Sequence, residues 1–376
     1  MADPLFDEIN LVTLKEIYPQ VIEDQYFLDA PFLAYIRDHC MVPWTGGAYS
    51  QITFRYKPMI GGFYQRGASW NINKRATLAG AVFEPKFLEF AIPEYKEDLK
   101  VFNKGPLAVF KLIDEDLRNG MDSASALTAI AMSRHGMPIM TGVTDNRVGK
   151  LNGWVEAMND GVTNGWDGNY FTTYGGATRN GVLGSVLNSV PVFCGNAAGG
   201  AGPISYNLLE EAYQDSCVGK EAPNLMVSNK AGIAYVKERM QVQQIFQQEK
   251  DPIWGVMGFR FNNAMVLKDD YFPSSKYGTN DPDLGNYLAA TFTSSATPAA
   301  ASNLPASQTI TVGEVIAMFN TKKWIFRVAD DDEYGYGFTG WYPAQDNSKV
   351  VGHIKAAVML ECTAPRLQKQ LYGING

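Results

Sequence analysis

Between Pro106 and His135 the chain reads PLAVFKLIDEDLRNGMDSASALTAIAMSRH, and no other stretch limits the fold as much. Apolar side chains fall at Phe110, Ile113, Leu117, Met121, Ala124, Leu127 and Ala131. That three-and-four spacing is one face of an α-helix. Pro106 suits the first helical position, where its missing N–H would have no partner in any case. Arg134 and His135, then Gly136 and Pro138, close the segment with positive charge at the negative end of the helix dipole. Such a helix is about 45 Å long at a rise of ~1.5 Å per residue. Gly120, mid-helix, costs about 1 kcal/mol relative to Ala and predicts a bend or local break there. The mean globular helix has about 11–12 residues, so this one reads as a strut.

A strut needs partners, and composition limits which. The chain has 376 residues, room for two or three domains, and 46% hydrophobic residues, enough for a sizeable core. A net charge of −7 argues against a dedicated nucleic-acid binder, which carries a basic face. It leaves room for a protein that encloses nucleic acid without gripping it. Cys40, Cys194, Cys217 and Cys362 are far apart and form no CxxC, so buried free thiols are expected rather than zinc or disulfides. MADPLFDEINL has no basic region followed by an apolar core, so no secretory signal is expected. No apolar run approaches the ~20 residues of a membrane span.

Residues 1–45 are acidic but rich in apolar side chains, too rich for a disordered tail. They read as an arm that packs on something, in short helical pieces broken by Pro19 and Pro31. Gln51–Lys57 alternates polar residues with Ile52, Phe54 and Tyr56, a half-exposed strand. Its expected hairpin partner is Phe83–Ile92, beyond a middle rich in Gly and small residues. No acid lies between Gln51 and Phe83, whereas Arg55, Lys57, Arg66, Lys74 and Arg75 do. A tip of ~20 residues is longer than compact domains hold without a partner. Further on, helices are expected over Leu151–Gly161, Tyr206–Cys217 and Lys230–Gln241, and strands over Ala222–Ser228, Trp324–Val328 and Lys349–Cys362. Trp254–Leu267 reads as two strands about an Asn262-Asn263 turn. Residues 274–310, with SSATPAAASNLPAS at their centre, read as an exposed insertion without helix or strand period.

No catalytic constellation emerges. Cys194–Gly202 is glycine-rich but lacks a following Lys-Ser/Thr, and no GxGxxG opens a helix. Asp330–Glu333 lacks the alternating spacing of a calcium loop and reads as a solvated turn. His39, His135 and His353 have no partner at metal spacing. Trp70, Trp154, Trp166, Trp254, Trp324 and Trp341 are enough to line a sugar cleft, though aromatics in such a chain serve more often as core or interface.

The order of parts is informative. An arm, a long two-stranded loop, a long helix, an α/β region and a returning long strand resemble the tailed-bacteriophage major capsid proteins. Four stretches carry the resemblance: LNGWVEAMNDG, APNLMVSNKAGIAYV, GFRFNNAMVLKDDYFP and VVGHIKAAVMLECTAPRLQKQLYGI, in that order. The resemblance implies an α+β, Hong Kong 97-type fold. It would comprise an N-terminal arm (1–47), an extended loop (48–100) and a spine helix with peripheral domain (101–159). An axial domain (160–320) would carry the surface insertion 274–310, and C-terminal strands (321–376) would return to the peripheral domain.

The implied role is structural. Hexamers and pentamers would build an icosahedral head shell around double-stranded DNA, located in the virion and assembled in the host bacterial cytoplasm. No enzymatic activity, cofactor, metal or membrane is expected, and scaffold, portal and decoration proteins are the further partners. Arg55, Lys57, Arg66, Lys74 and Arg75 would meet acidic groups of a neighbouring subunit, with Phe63, Tyr64 and Trp70 adding apolar contact. Asp114, Glu115 and Asp116 are the acidic candidates, and Phe110, Ile113, Leu117, Gly120 and Met121 mark the spine helix. The insertion is expected outside the shell, first to be nicked by protease, and no N-terminal cleavage is expected. The competing reading is a secreted carbohydrate-binding or glycoside-active β protein.

Overall fold

The computed structural model describes residues 30–69, 73–95, 112–134, 151–179, 181–241, 248–250, 257–274, 291–343 and 349–375. The chain starts with helix α1 (Pro31–Cys40), strand β1 (Met41–Trp44), the ribbon β2 (Ser50–Arg55) and β3 (Leu78–Phe83), strand β4 (Lys86–Tyr95) and helix α2 (Leu112–Ser133). Its middle adds α3 (Trp154–Ala157), β5 (Thr173–Tyr174), β6 (Ala177–Thr178), α4 (Gly184–Leu187), β7 (Val192–Phe193), β8 (Gly202–Pro203), α5 (Tyr206–Asp215), β9 (Leu225–Ser228) and α6 (Lys230–Gln241). Strands β10 (Gln248–Lys250), β11 (Met257–Phe261), β12 (Ala264–Lys268), β13 (Thr291–Thr293), β14 (Thr309–Thr311) and β15 (Glu314–Phe319) follow. The last are β16 (Trp324–Ala329), β17 (Gly335–Pro343), β18 (Lys349–Cys362) and β19 (Lys369–Asn375).

Two sheets organise these elements. In the peripheral sheet β18 is the axis: β16 and then β17 run antiparallel along it, as does β4, and β1 adds in parallel to β16. The eight-stranded central sheet is ordered β10-β11-β12-β9-β15-β19-β7, with β8 also on β19. Its inner strands β9 and β15 are buried on both faces, as their apolar runs LMVS and EVIAMF require. Burial alternates residue by residue in β16, and in β2 and β4 as well.

Helix α2 packs across the peripheral sheet and buries Ala124, Leu127, Ile130 and Met132. It is continuous through Gly120, so the helix is not broken there. The glycine is used for proximity. A Cβ there would lie 2.8 Å from Ile354 Cδ1 on β18 and 2.9 Å from Ile92 Cδ1 on β4. The expected helix residues 106–111 and His135 lie outside the described residues.

Helix α1 opens with Pro31 and buries Phe32, Leu33, Ile36 and Cys40, joining the two sheets. Phe32 packs on Phe319 of β15 (centroids 4.7 Å apart), and Trp154 of α3 stacks on Phe272 at 5.3 Å. Arg179 is wholly buried and donates to the carbonyls of Glu156, Asn159 and Leu187, which ties α3 and α4 together. Burial lowers its pKa to about 10.

Three expectations need correction. The partner of β2 is Leu78–Phe83, not Phe83–Ile92, which joins the peripheral sheet on β18. LAGAVF lacks bulk because the ribbon's inner face lies flat on the β5–β6 turn, where a Cβ on Gly175 would meet Ala81 Cβ at 2.8 Å. The helix expected over Leu151–Gly161 is one turn, Trp154–Ala157. Asn159 and Asp160 then hydrogen-bond their own loop, at Gly161 N, Val162 N and Thr163 N, in competition with the helix ladder. The second half of 274–310 is ordered: β13 pairs with β14, Ser295 N donates to Asn164 Oδ1 at 2.7 Å, and Ile310 is fully buried. The last strand, β19, pairs with β15 inside the central sheet.

Candidate intersubunit surface

Beyond the β2–β3 ladder the loop runs on as an open extension. Tyr56 N still bonds Thr77 O at 3.0 Å, and Ala68 N closes a turn on Gln65 O at 2.9 Å. The base is well seated. Ile52, Ala81 and Phe83 are buried on the ribbon's inner face, Phe83 meets Tyr174 edge-on at 5.1 Å, and Val82 N donates to Gly175 O at 2.8 Å.

The tip's apolar side chains are exposed. Phe63 is 111% exposed, Met59 76% and Tyr64 64%, and Ile60 is also exposed. Sequence reasoning named Phe63 and Tyr64 but missed Met59, Ile60 and Leu78, the last 63% exposed on the ribbon's outer face. The signal available was the apolar doublet Met59-Ile60 between Pro58 and Gly61. Contiguous exposed apolar groups of this kind mark an interaction surface.

The basic residues flank this patch in sequence. Arg55, Arg66, Lys74 and Arg75 are exposed, and Lys57 is half-buried with its ammonium 5.6 Å from the Tyr56 ring centre. Arg55 Nε donates to Lys57 O at 3.4 Å. Trp70 lies outside the described residues. On α2, Leu117 and Met121 pack against the small cluster of Ile92, Ala124 and Ile354. Ile113, Asp114 and Glu115 fall in the helix's first turns, Asp116 is half-buried, and Phe110 is outside the described residues. The structure does not bring Asp116 onto the chain's own loop by any ion pair among the described residues. A further acidic run lies exposed at Asp330, Asp331 and Asp332, where Asp330 N bonds Trp44 O at the end of β1.

The chemistry-bearing motifs are absorbed into structure. In the glycine-rich loop Asn196 Oδ1 accepts from Ala198 N and Gly200 N, both at 3.0 Å, so those amides are not offered to a phosphate. Trp154, Trp166 and Trp324 are core residues and Trp341 packs on Phe338. Trp70 and Trp254 lie outside them. His39 stacks on Tyr35, and His353 Nδ1 lies 2.8 Å from Glu89 Oε1. The four thiols are free, and burial pushes Cys194 and Cys362 up to about 12 and Cys40 to about 11. Among the described residues no cluster of His, Cys, Asp or Glu is placed to hold a metal, and no helix is long and apolar enough to cross a membrane.

No protein-family model and no curated protein sequence matches the chain. Solved shell subunits do match in structure. The capsid asymmetric unit of cyanophage A-1(L) superposes with a TM-score of 0.63 at 11% identity, over 96% of this chain and 98% of that one. The capsid of the native GTA particle gives 0.57 at 12% identity, over 96% of each chain. The holo-SrpI encapsulin complex of Synechococcus elongatus PCC 7942 gives 0.54 at 9% identity, over 100% of this chain and 96% of that one. These likenesses establish the fold: the chain is an α+β protein of the Hong Kong 97 type over its whole length.

Proposed function

We propose that this chain is a major capsid protein whose copies build the head shell of a tailed bacteriophage. The observation that carries the reading is a loop that cannot be explained within one subunit: a ribbon seated at its base and, at its tip, apolar side chains flanked by cations with no core beneath them. Its occurrence in a fold shared over 96% of the chain with capsid subunits supports the same reading. Hexamers and pentamers are the closed rings that heterologous contacts of one surface generate, and such rings tile an icosahedron. The subunit is structural rather than enzymatic. Its net charge of −7 keeps it from adhering to the double-stranded DNA it encloses. Residues 1–47 act as the arm, 48–100 as the loop that reaches a neighbour, 101–159 as spine and peripheral domain, and 160–320 as axial domain. The particle is the virion head, assembled in the host cytoplasm with portal, scaffold and decoration proteins.

The likeness to an encapsulin favours a second reading, a shell around protein rather than DNA. Expression of the full chain, followed by gradient sedimentation and negative-stain microscopy, is expected to give closed shells or ring-sized capsomers. A 41.4 kDa monomer under all assembly conditions would sink both shell readings. Particles from the native source that hold protein cargo and no DNA would decide for the second.

A further inference from the structure

Asp269 follows β12 and is 2% exposed. Its carboxyl caps a helix 237 residues away in sequence: Oδ2 accepts from Phe32 N, in the first turn of α1, at 2.9 Å. The other oxygen accepts from Tyr271 N at 2.8 Å, and the residue's own N–H donates to Ser228 O at 3.0 Å. The α1 N-terminus has no side-chain cap of its own, since Ala30 stands at the N-cap position. Asp269 supplies from the central sheet what the local sequence lacks.

The carboxyl is poorly matched in both protonation states. Ionised, it faces the positive end of the α1 dipole. It is nevertheless buried, and among the described residues no lysine or arginine reaches it. Lys268 is spent on Asp270, 3.0 Å away. Protonated, it sets an O–H against one of two N–H groups that both need an acceptor. We propose that Asp269 is a pH-sensitive latch that holds helix α1 on the central sheet.

The direction follows from linkage. Burial raises the Asp269 pKa to about 7, against the two N–H bonds and Lys268, which lower it; Asp270 raises it further. A hydrated aspartate titrates near ~3.9. The docked state therefore binds more protons between about pH 4 and 7, and docking weakens as pH rises through that window, then levels off. Other charged groups also lie on the packed elements. Glu314 of β15 accepts from Asn229, and Glu156 of α3 accepts from Asn152 at 2.7 Å. Lys230 at the start of α6 is exposed, and Arg37, Asp38 and His39 lie at the far end of α1.

Hydrogen exchange measured by mass spectrometry on the full-length unassembled chain tests this without reference to the shell reading. Protection of peptides covering 31–40, corrected for the intrinsic exchange rate, should fall by up to about tenfold per pH unit between pH 5 and 7 and be flat above. Asp269→Asn should remove the slope. Should that variant not fold, Asp270→Asn should move the midpoint down and Lys268→Gln should move it up. Protection that does not change with pH in the wild type, a slope that survives Asp269→Asn, or a midpoint unmoved by both neighbour variants would overturn the latch.

Discussion

A methyl group at position 120 would fall within 2.9 Å of two isoleucine Cδ1 atoms, so at this residue the absence of a side chain is itself a packing feature. Gly120→Ala gains about 1 kcal/mol in helix propensity. Overfilling a packed contact costs about 1–3 kcal/mol. The contacting atoms are ends of flexible side chains, so part of the strain relaxes. We expect Gly120→Ala to be destabilising by about 1 kcal/mol in denaturant unfolding, and the pair Gly120→Ala with Ile354→Val to recover most of it. A Gly120→Ala variant more stable than the wild type would show that the helix does not rest on the sheet at this point. The glycine was legible as an anomaly in a helical pattern. Its cause was not, because the atoms it makes room for come from positions 92 and 354.

At the scale of elements, the β2–β3 ribbon separates stability from assembly. Its base is buried and its tip is not, so changes at the tip should leave the subunit intact. Single exposed ion pairs are worth about 0–1 kcal/mol, so one reversed charge should matter little. Reversing Arg66, Lys74 and Arg75 together to Glu removes roughly 1.5 kcal/mol per interface, about tenfold in association. Circular dichroism should be unchanged while sedimentation shows shells lost, and raised salt should mimic the effect in part on the wild type. Normal particle yield from the triple variant would refute the loop's proposed role. Asp330, Asp331 and Asp332 join Asp114, Glu115 and Asp116 as acceptor candidates, since they are exposed beside an edge strand whose Met41 and Val42 are exposed too.

For the whole molecule, the end of the chain and the loop tip predict opposite outcomes on deletion. Strand β19 lies between β15 and β7 in the central sheet, and Leu371, Tyr372 and Ile374 are at most 1% exposed. Burying Leu371 and Ile374 alone is worth about 3–6 kcal/mol, a large part of a net stability of about 5–15 kcal/mol. A chain ending at Gln368 should therefore be insoluble or unfolded. Replacing 58–75 by a short glycine linker should give a folded subunit, because Tyr56 and Thr77 already meet across the ladder. Far-ultraviolet circular dichroism and solubility separate the two. A soluble, cooperatively folded chain lacking β19 would show that the central sheet does not need its interior strand.

What the residues determined alone was local. Helical periodicity placed α2, Asn262-Asn263 placed the β11–β12 turn, and Lys230–Gln241 and Lys349–Cys362 were legible at their observed bounds. The basic, acid-free loop was legible as a segment in need of a partner, because charge and bulk are written in residue types. Tertiary structure decided everything that depends on meeting at a distance. It set the true partner of β2, whose small residues follow from the flatness of the β5–β6 turn rather than from any strand period. It put β19 in the central sheet, since a short strand of mixed residues, KQLYGIN, suits either sheet until neighbours are fixed. It folded 291–310, where polar residues are satisfied by Asn164, Val162 and Thr163, more than 130 positions away. And it made Asp269 the cap of α1, because a hydrogen bond between residues 269 and 32 leaves no trace in the local pattern of either.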